Sequence, residues 1–143
     1  MTPKEQAEQL MNEGIPFAKK MLSDYGEFYP FGLVLLADGT IQHVGAKGRS
    51  EHPPSQELLG LLIDSFRKGA KEGKYKAVAV FLDVKVKSPT TGRNIDAVQV
   101  GLEHRDSYCA DVYFPYTINK GAVTFGEIWA SKRTGSVYET SNQ

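Results

Sequence analysis

The spacing of apolar residues runs helical, extended and helical again, and from Tyr75 onward it stays extended. Ala7, Leu10, Met11, Phe17, Ala18, Met21 and Leu22 recur three and four positions apart, which places them on one stripe of an amphipathic helix. Thr2-Pro3-Lys4-Glu5 precedes them as a capping box: the Thr2 hydroxyl can accept the Glu5 N–H, the Glu5 carboxylate can accept the Thr2 N–H, and Pro3 sits where no N–H is needed. Gly14 and Pro16 interrupt the stripe and predict a kink or two short helices, ended by Asp24-Tyr25-Gly26. Residues 31–37 and 40–46 flank Asp38-Gly39, a hairpin signal of the type I′ kind, and Leu33 to Leu36 are apolar in both parities, as in a strand interior to a sheet. Residues 47–54 read as an exposed loop. A second helix is expected from a Ser55 cap to about Gly73, with Leu58, Leu59, Leu61, Leu62, Ile63 and Phe66 as its apolar face and Arg67, Lys68 and Lys71 at its negative end.

From Tyr75 onward the period is two. Strands over 77–87, 95–104 and 108–118 form a meander, a further strand covers 122–128, and the polar tail beyond Trp129 (residues 130–143) is expected to fray. Alternation suggests a register. Setting His104 opposite Tyr108 pairs Leu102 with Ala110, Val100 with Val112 and Val98 with Phe114; setting Val84 opposite Val98 then pairs Leu82 with Val100 and Val80 with Leu102. These eight or so apolar side chains are expected to be buried together against the Leu58–Phe66 helix. The resulting class is α+β: one domain over 1–143, two-layer, with an antiparallel sheet made of the N-terminal hairpin and the C-terminal meander, and two helical segments.

The opposite face of that sheet then carries Phe81, Asp83, Lys85, Gln99, Glu103, Asp111 and Tyr113, with the Phe81 ring over Gly101. Rings set among carboxylates, a lysine and an amide suit a protein contact surface, so these seven residues are the candidate partner-binding site. The other reading is an ordinary solvated face, or one hidden under the first helix.

Composition narrows the class of function. Seventeen basic and seventeen acidic residues cancel in a chain of 143, which disfavours a broad nucleic-acid footprint and a polybasic membrane anchor. The single cysteine, Cys109, cannot form an internal disulfide, the N-terminus lacks the apolar run of a signal peptide, and no apolar stretch is long enough to span a bilayer; a cytoplasmic protein is expected.

Candidate chemistry is sparse. His43, His52, His104 and Cys109, with Glu51 and Glu103 beside two of the histidines, show no zinc or two-His-one-carboxylate spacing. Neighbours on a strand face opposite ways, which separates Glu103 from His104, and the register separates Cys109 from His104. His104-Arg105-Asp106 reads as a charged hairpin turn, and Gly69-Ala-Lys-Glu-Gly73-Lys74 is too short for a phosphate-binding loop. No catalytic residue, metal, nucleotide or other cofactor is therefore expected. The least ordinary stretch is Tyr25-Gly-Glu-Phe28-Tyr29-Pro30-Phe31-Gly32, whose rings either plug the end of a small core or line a pocket.

Gly26-Glu-Phe-Tyr-Pro-Phe-Gly32 leading into the Asp38-Gly39 hairpin, then Leu102-Glu-His-Arg-Asp106 and Phe114-Pro-Tyr116, resembles small uncharacterised bacterial proteins. In size and layout the chain is similar to single-domain immunity proteins that neutralise bacterial toxins. The helix–hairpin–helix–meander order is also similar to profilin-like and PAS-like sensor domains, by analogy of fold alone. The mixed sheet face and the rim loops point to a non-catalytic protein-interaction module that binds another protein or itself, for which the resemblance implies a bacterial immunity or accessory type. The alternative is a small-ligand sensor with a pocket between the aromatic segment and the sheet.

Overall fold

The computed structural model describes residues 1–45 and 55–138; the loop expected at 47–54 and the last five residues of the tail lie outside the described residues. Within them the element order is α1 (Pro3–Tyr25), β1 (Phe31–Leu36), β2 (Ile41–Gly45), α2 (Ser55–Lys71), β3 (Tyr75–Lys87), β4 (Asn94–His104), β5 (Tyr108–Asn119), β6 (Ala122–Phe125) and β7 (Trp129–Ser131). The class is the expected α+β, an antiparallel sheet with two helices packed on it. The helices take opposite faces, however, so there are three layers rather than the expected two, and the Val98–Phe114 set is buried against α1 rather than the Leu58–Phe66 helix. Strand order is β2-β1-β3-β4-β5-β6, with β7 also paired to β5, so β1 lies inside the sheet. No helix among the described residues is long and apolar enough to cross a membrane.

The Thr2–Glu5 capping box forms with both of its bonds, at 3.0 and 3.1 Å. The expected break at Gly14 and Pro16 does not occur: α1 runs unbroken for 23 residues. Gly14 has a different task. A Cβ there would lie 2.1 Å from the Phe81 ring, so the missing side chain lets helix and sheet approach across that ring. At the Asp38-Gly39 hairpin only Gly39 has positive φ, at 93°; Asp38 instead accepts the Thr40 N–H at 2.9 Å, an Asx turn in place of the expected type I′.

The β4–β5 register is the expected one, with Val98 opposite Phe114, Val100 opposite Val112 and Leu102 opposite Ala110. The β3–β4 register is not. Asp83, rather than Val84, faces Val98, Phe81 faces Val100 and Ala79 faces Leu102. This one-residue slip turns β3 over. Ala77, Ala79 and Phe81 join Val98, Val100, Leu102, Val112 and Phe114 under α1, while Val78 and Val80 pack on the other face with Leu62 and Phe66 of α2. The expected joint burial of Val80, Leu82 and Val84 with that first set is thus corrected. β3 is apolar in both parities because both faces of the sheet are covered, one by each helix. The second contact repeats the logic of the first: the Phe66 ring sits where a Cβ of Gly32 would be, at 2.4 Å.

The expected last strand is split. Tyr116 pairs with Phe125 but Tyr113 with Trp129, so the outer strand gains one residue on β5 between them, a bulge at residues 126–128 where the Gly126 N–H donates to the Pro115 carbonyl at 2.7 Å. From β7 to Tyr138 the expected fraying does not occur: Val137 is buried and the Tyr138 hydroxyl donates to the Tyr75 carbonyl at 3.1 Å, so residues 132–138 form a strap across the α2 face of the sheet.

Candidate functional site

The slip in β3 divides the seven expected contact residues between two faces. Phe81, Asp83 and Lys85 share the α1 face; Gln99, Glu103, Asp111 and Tyr113 share the α2 face. They form no common surface. Phe81 is fully buried, stacked on Phe31 with centroids 4.7 Å apart and planes 2° apart, and it covers Gly14 rather than Gly101. The expectation that Phe81 contacts a partner is therefore corrected to a core role.

On the α2 face the position above Gly101 is taken by Arg133. Its guanidinium lies where a Gly101 Cβ would be, 2.5 Å from Nη1. Nε donates to Glu103 Oε2 at 3.0 Å, Nη1 to Asp111 Oδ1 at 2.9 Å and Nη2 to Ser136 Oγ at 3.3 Å. Glu103 also accepts the N–H groups of Ser136 and Val137, the latter at 2.8 Å, and Gln99 donates to Asp111 at 3.2 Å. Burial pushes the Glu103 carboxyl up, but the Val137 N–H, the Arg133 charge and the Ser136 N–H together bring it below the usual carboxylate range. Tyr113 stacks on Trp129 at 5.1 Å. Glu103 and Asp111, expected on an open face, are covered by the chain's own C-terminal segment.

Two of the expected residues, Asp83 and Lys85, do reach a cleft. It has a volume of about 380 Å³ and is lined by Gly26, Asp83, Val84, Lys85, Asp96, Tyr116 and Ile118. The local sequence explains its shape. Gly26, with φ of 77°, ends α1 in a left-handed cap that only glycine adopts without strain, and sends residues 27–30 back towards β3. The Phe28 N–H bonds Asp83, and the Ser23 hydroxyl donates to the Gly121 carbonyl at 2.6 Å, fastening the end of α1 to the β5–β6 turn. The buried Tyr116 hydroxyl donates to Asp83 Oδ1 at 2.6 Å. Across β4, Lys85 Nζ lies 3.8 Å from Asp96.

Burial raises the Asp83 carboxyl above its ordinary value; the Tyr116 hydroxyl and the Phe28 N–H oppose this, and the charges of Asp96 and Glu27 add to it. Burial, followed by the bond to Asp83, raises the Tyr116 phenol as well. Asp83 is thus a carboxylate held in a half-dry place within reach of the Asp96 and Glu27 charges.

The aromatic segment divides between the two readings of it. Phe28 and Phe31 are buried and plug the core, whereas Tyr25 is 70 % exposed and Tyr29 and Ile118 are exposed as well. Sequence reasoning missed Tyr116, Asp96 and Arg133. Tyr116 and Asp96 depend on the β3 register; Arg133 could have been anticipated from two inward carboxylates on one face, which demand a cation.

The remaining candidates are dispersed. His104 is buried, accepts the Asp106 N–H at Nδ1 (2.9 Å) and so donates from Nε2 to Gln6 at 2.6 Å; burial lowers its pKa, which fits a neutral imidazole. Cys109 lies on the other face, its thiol donating to the Arg133 carbonyl at 3.1 Å. His52 lies outside the described residues. Among the described residues no three of His, Cys, Asp and Glu come close enough to hold a metal ion. Fold and cleft together define a class, an antiparallel α+β domain with a tyrosine–carboxylate cleft at one end. Comparison of the chain with protein-family models, curated proteins and solved structures found no match.

Proposed function

We propose that this chain is a non-catalytic protein-interaction module, of the kind that bacterial immunity and accessory proteins represent, and that it meets its partner at the Asp83–Tyr116 cleft. The observation that carries this reading is a cleft that the exposed Ile118 lines together with Asp83 and Asp96, with the exposed Tyr25 immediately preceding its Gly26 in the chain. Aromatic and aliphatic anchors supply burial at an interface, and fixed charges supply selectivity. Asp83, Asp96 and Glu27 outnumber Lys85 here, so the partner is one that offers a lysine or arginine with apolar neighbours; a cation over the Tyr25 ring gains further. Asp83 already accepts bonds from Tyr116 and Phe28, which suits a positioned charge better than a proton-transfer group. A cytoplasmic setting fits the free thiol of Cys109, and the cancelled net charge argues against nucleic acid and membrane as partners.

The test is capture from a bacterial lysate, followed by titration of the captured partner. Tyr25→Ala and Ile118→Ala should each weaken binding by on the order of 2 kcal/mol with the circular dichroism unchanged, while Leu61→Ala, an exposed apolar residue on α2, should do nothing. If the Tyr25→Ala/Ile118→Ala protein holds every partner as tightly as wild type, the reading fails. Affinity should also fall on acidification at a higher pH than an ordinary carboxylate would give, because the raised Asp83 loses its charge first.

A small-ligand sensor has one observation in its favour. A groove of about 460 Å³ runs between α2 and the strap, with Leu59, Gly60, Ile63, Val80 and Leu82 on its walls. Saturable binding of a fluorescent fatty acid, abolished by Ile63→Trp, would support that reading; its absence would remove it.

A further inference from the structure

The Arg133 seat has the construction of a receptor and its ligand. The receptor belongs to the rigid middle of the sheet: Gly101 and Glu103 on β4 and Asp111 on β5, with Gln99 holding the Asp111 carboxylate. Glu103 and Asp111 are nearly dry, their side chains 3 % and 12 % exposed. All the bonds that Glu103 accepts come from one short segment, Arg133-Thr-Gly-Ser136-Val137. Emptied of that segment, the seat would keep two carboxylates on one face with no cation between them, a charge pattern and a bare Gly101 Cα that fit an arginine from either chain.

The segment that fills it hangs from a weak hinge. β7 pairs with β5 over only three residues, and the bulged stretch 126–128, with Ile128 exposed, joins it to β6. Within the strap the buried apolar contribution is Val137, helped by the half-buried Tyr138; the rest of the hold is charge and hydrogen bond. Terminal units of this kind open at a fraction of the global stability and can close on an identical seat in another molecule.

We propose that residues 129–138 exchange between two copies of this chain, swinging on residues 126–128 so that Arg133 of one copy seats on Gly101 between Glu103 and Asp111 of the other. The exchanged contacts are the same as those made within one chain, including the stack of Trp129 on Tyr113, so the partner that fits this surface is a second copy. This surface is separate from the Asp83–Tyr116 cleft and does not rest on it.

Complementary variants of the full chain test the exchange. Arg133→Ala keeps the seat but spoils the strap; Glu103→Gln/Asp111→Asn keeps the strap but spoils the seat. Alone, each should sediment as a monomer. Mixed, the intact strap of one should close on the intact seat of the other, giving a one-to-one dimer on the order of a hundredfold tighter than either variant with itself. A mixture that sediments as monomers, with both variants folded by circular dichroism, overturns the proposal. Should either variant fail to fold, the wild-type chain decides: refolded from urea at rising protein concentration it should give a growing share of dimer that dilution releases only slowly, and monomer alone at every concentration overturns the exchange.

Discussion

Replacing Phe81 by alanine should lower folding stability by about 3–5 kcal/mol, because it removes a large ring from the fully buried layer between α1 and the sheet. Three neighbours set this magnitude. Phe31 stacks on the ring, Val100 faces it across β4, and the bare Cα of Gly14 rests against it from the helix. Little else can move in to fill the space, since Gly14 sits within a continuous 23-residue helix fastened at both ends. The converse substitution is informative too. Gly14→Ala gains about 1 kcal/mol of helix propensity at an unconstrained site. Here the new methyl would meet the Phe81 ring at 2.1 Å, and overpacking should reverse the sign to a net loss of about 1–3 kcal/mol. Combining Gly14→Ala with Phe81→Leu should recover part of that loss, a coupling that only residues in contact show. Urea unfolding followed by circular dichroism measures all of these, and a Phe81→Ala protein within 1 kcal/mol of wild type would mean that the ring is not packed as described.

Phe81 also marks the boundary of what the sequence could disclose. The β4–β5 pairing was legible because polar and apolar residues alternate cleanly on β4, where Val98, Val100 and Leu102 stand against Gln99, Gly101 and Glu103, and because a short turn at 105–107 leaves no freedom to slip. On β3 the run from Ala77 to Leu82 is apolar in both parities, so a shift by one residue sets equally apolar side chains opposite β4. The connection over 88–93, folded on the Ser88 hydroxyl, has no length that sequence alone fixes as a register. The face of Asp83 follows from that register, and with it the cleft. Asp83 and Asp111, which might have approached each other on one face, stand on opposite sides of the sheet, bonded to Tyr116 and Arg133 respectively. Helix-breaking residues misled for a related reason. Gly14 costs helix propensity locally but is required by a ring that lies 67 positions further along the chain, and tertiary packing outweighs propensity.

Removal of the guanidinium by Arg133→Ala should cost about 3–5 kcal/mol where both carboxylates are ionised, since breaking a buried ion pair leaves uncompensated charge. The loss has a ceiling: once the strap lets go, Glu103 and Asp111 regain water, and the cost stops at the free energy of docking. Two probes separate these events. Trp129, the single tryptophan, stands on β7 beside the strap and reports its release, whereas circular dichroism reports the sheet. In Arg133→Ala the tryptophan signal should change at a lower urea concentration than in wild type and well before the sheet, and the Ser136 and Val137 amides, which donate to Glu103, should lose protection from hydrogen exchange. Acid should imitate the substitution. The folded pKa of Glu103 lies below its unfolded value, so the folded state binds fewer protons, and the stabilisation is complete above the unfolded pKa and lost as the pH falls through the folded one. Wild-type stability should therefore decline from about pH 5 downward. The difference between wild type and Arg133→Ala should shrink over the same range, because a protonated Glu103 no longer needs its partner. Arg133→Lys distinguishes charge from shape: an ammonium cannot donate to both carboxylates and to Ser136 in the fork that the guanidinium spans, so lysine should restore less than half of the loss. Full restoration by lysine would assign the seat to net charge alone and leave the bare Cα of Gly101 without a purpose.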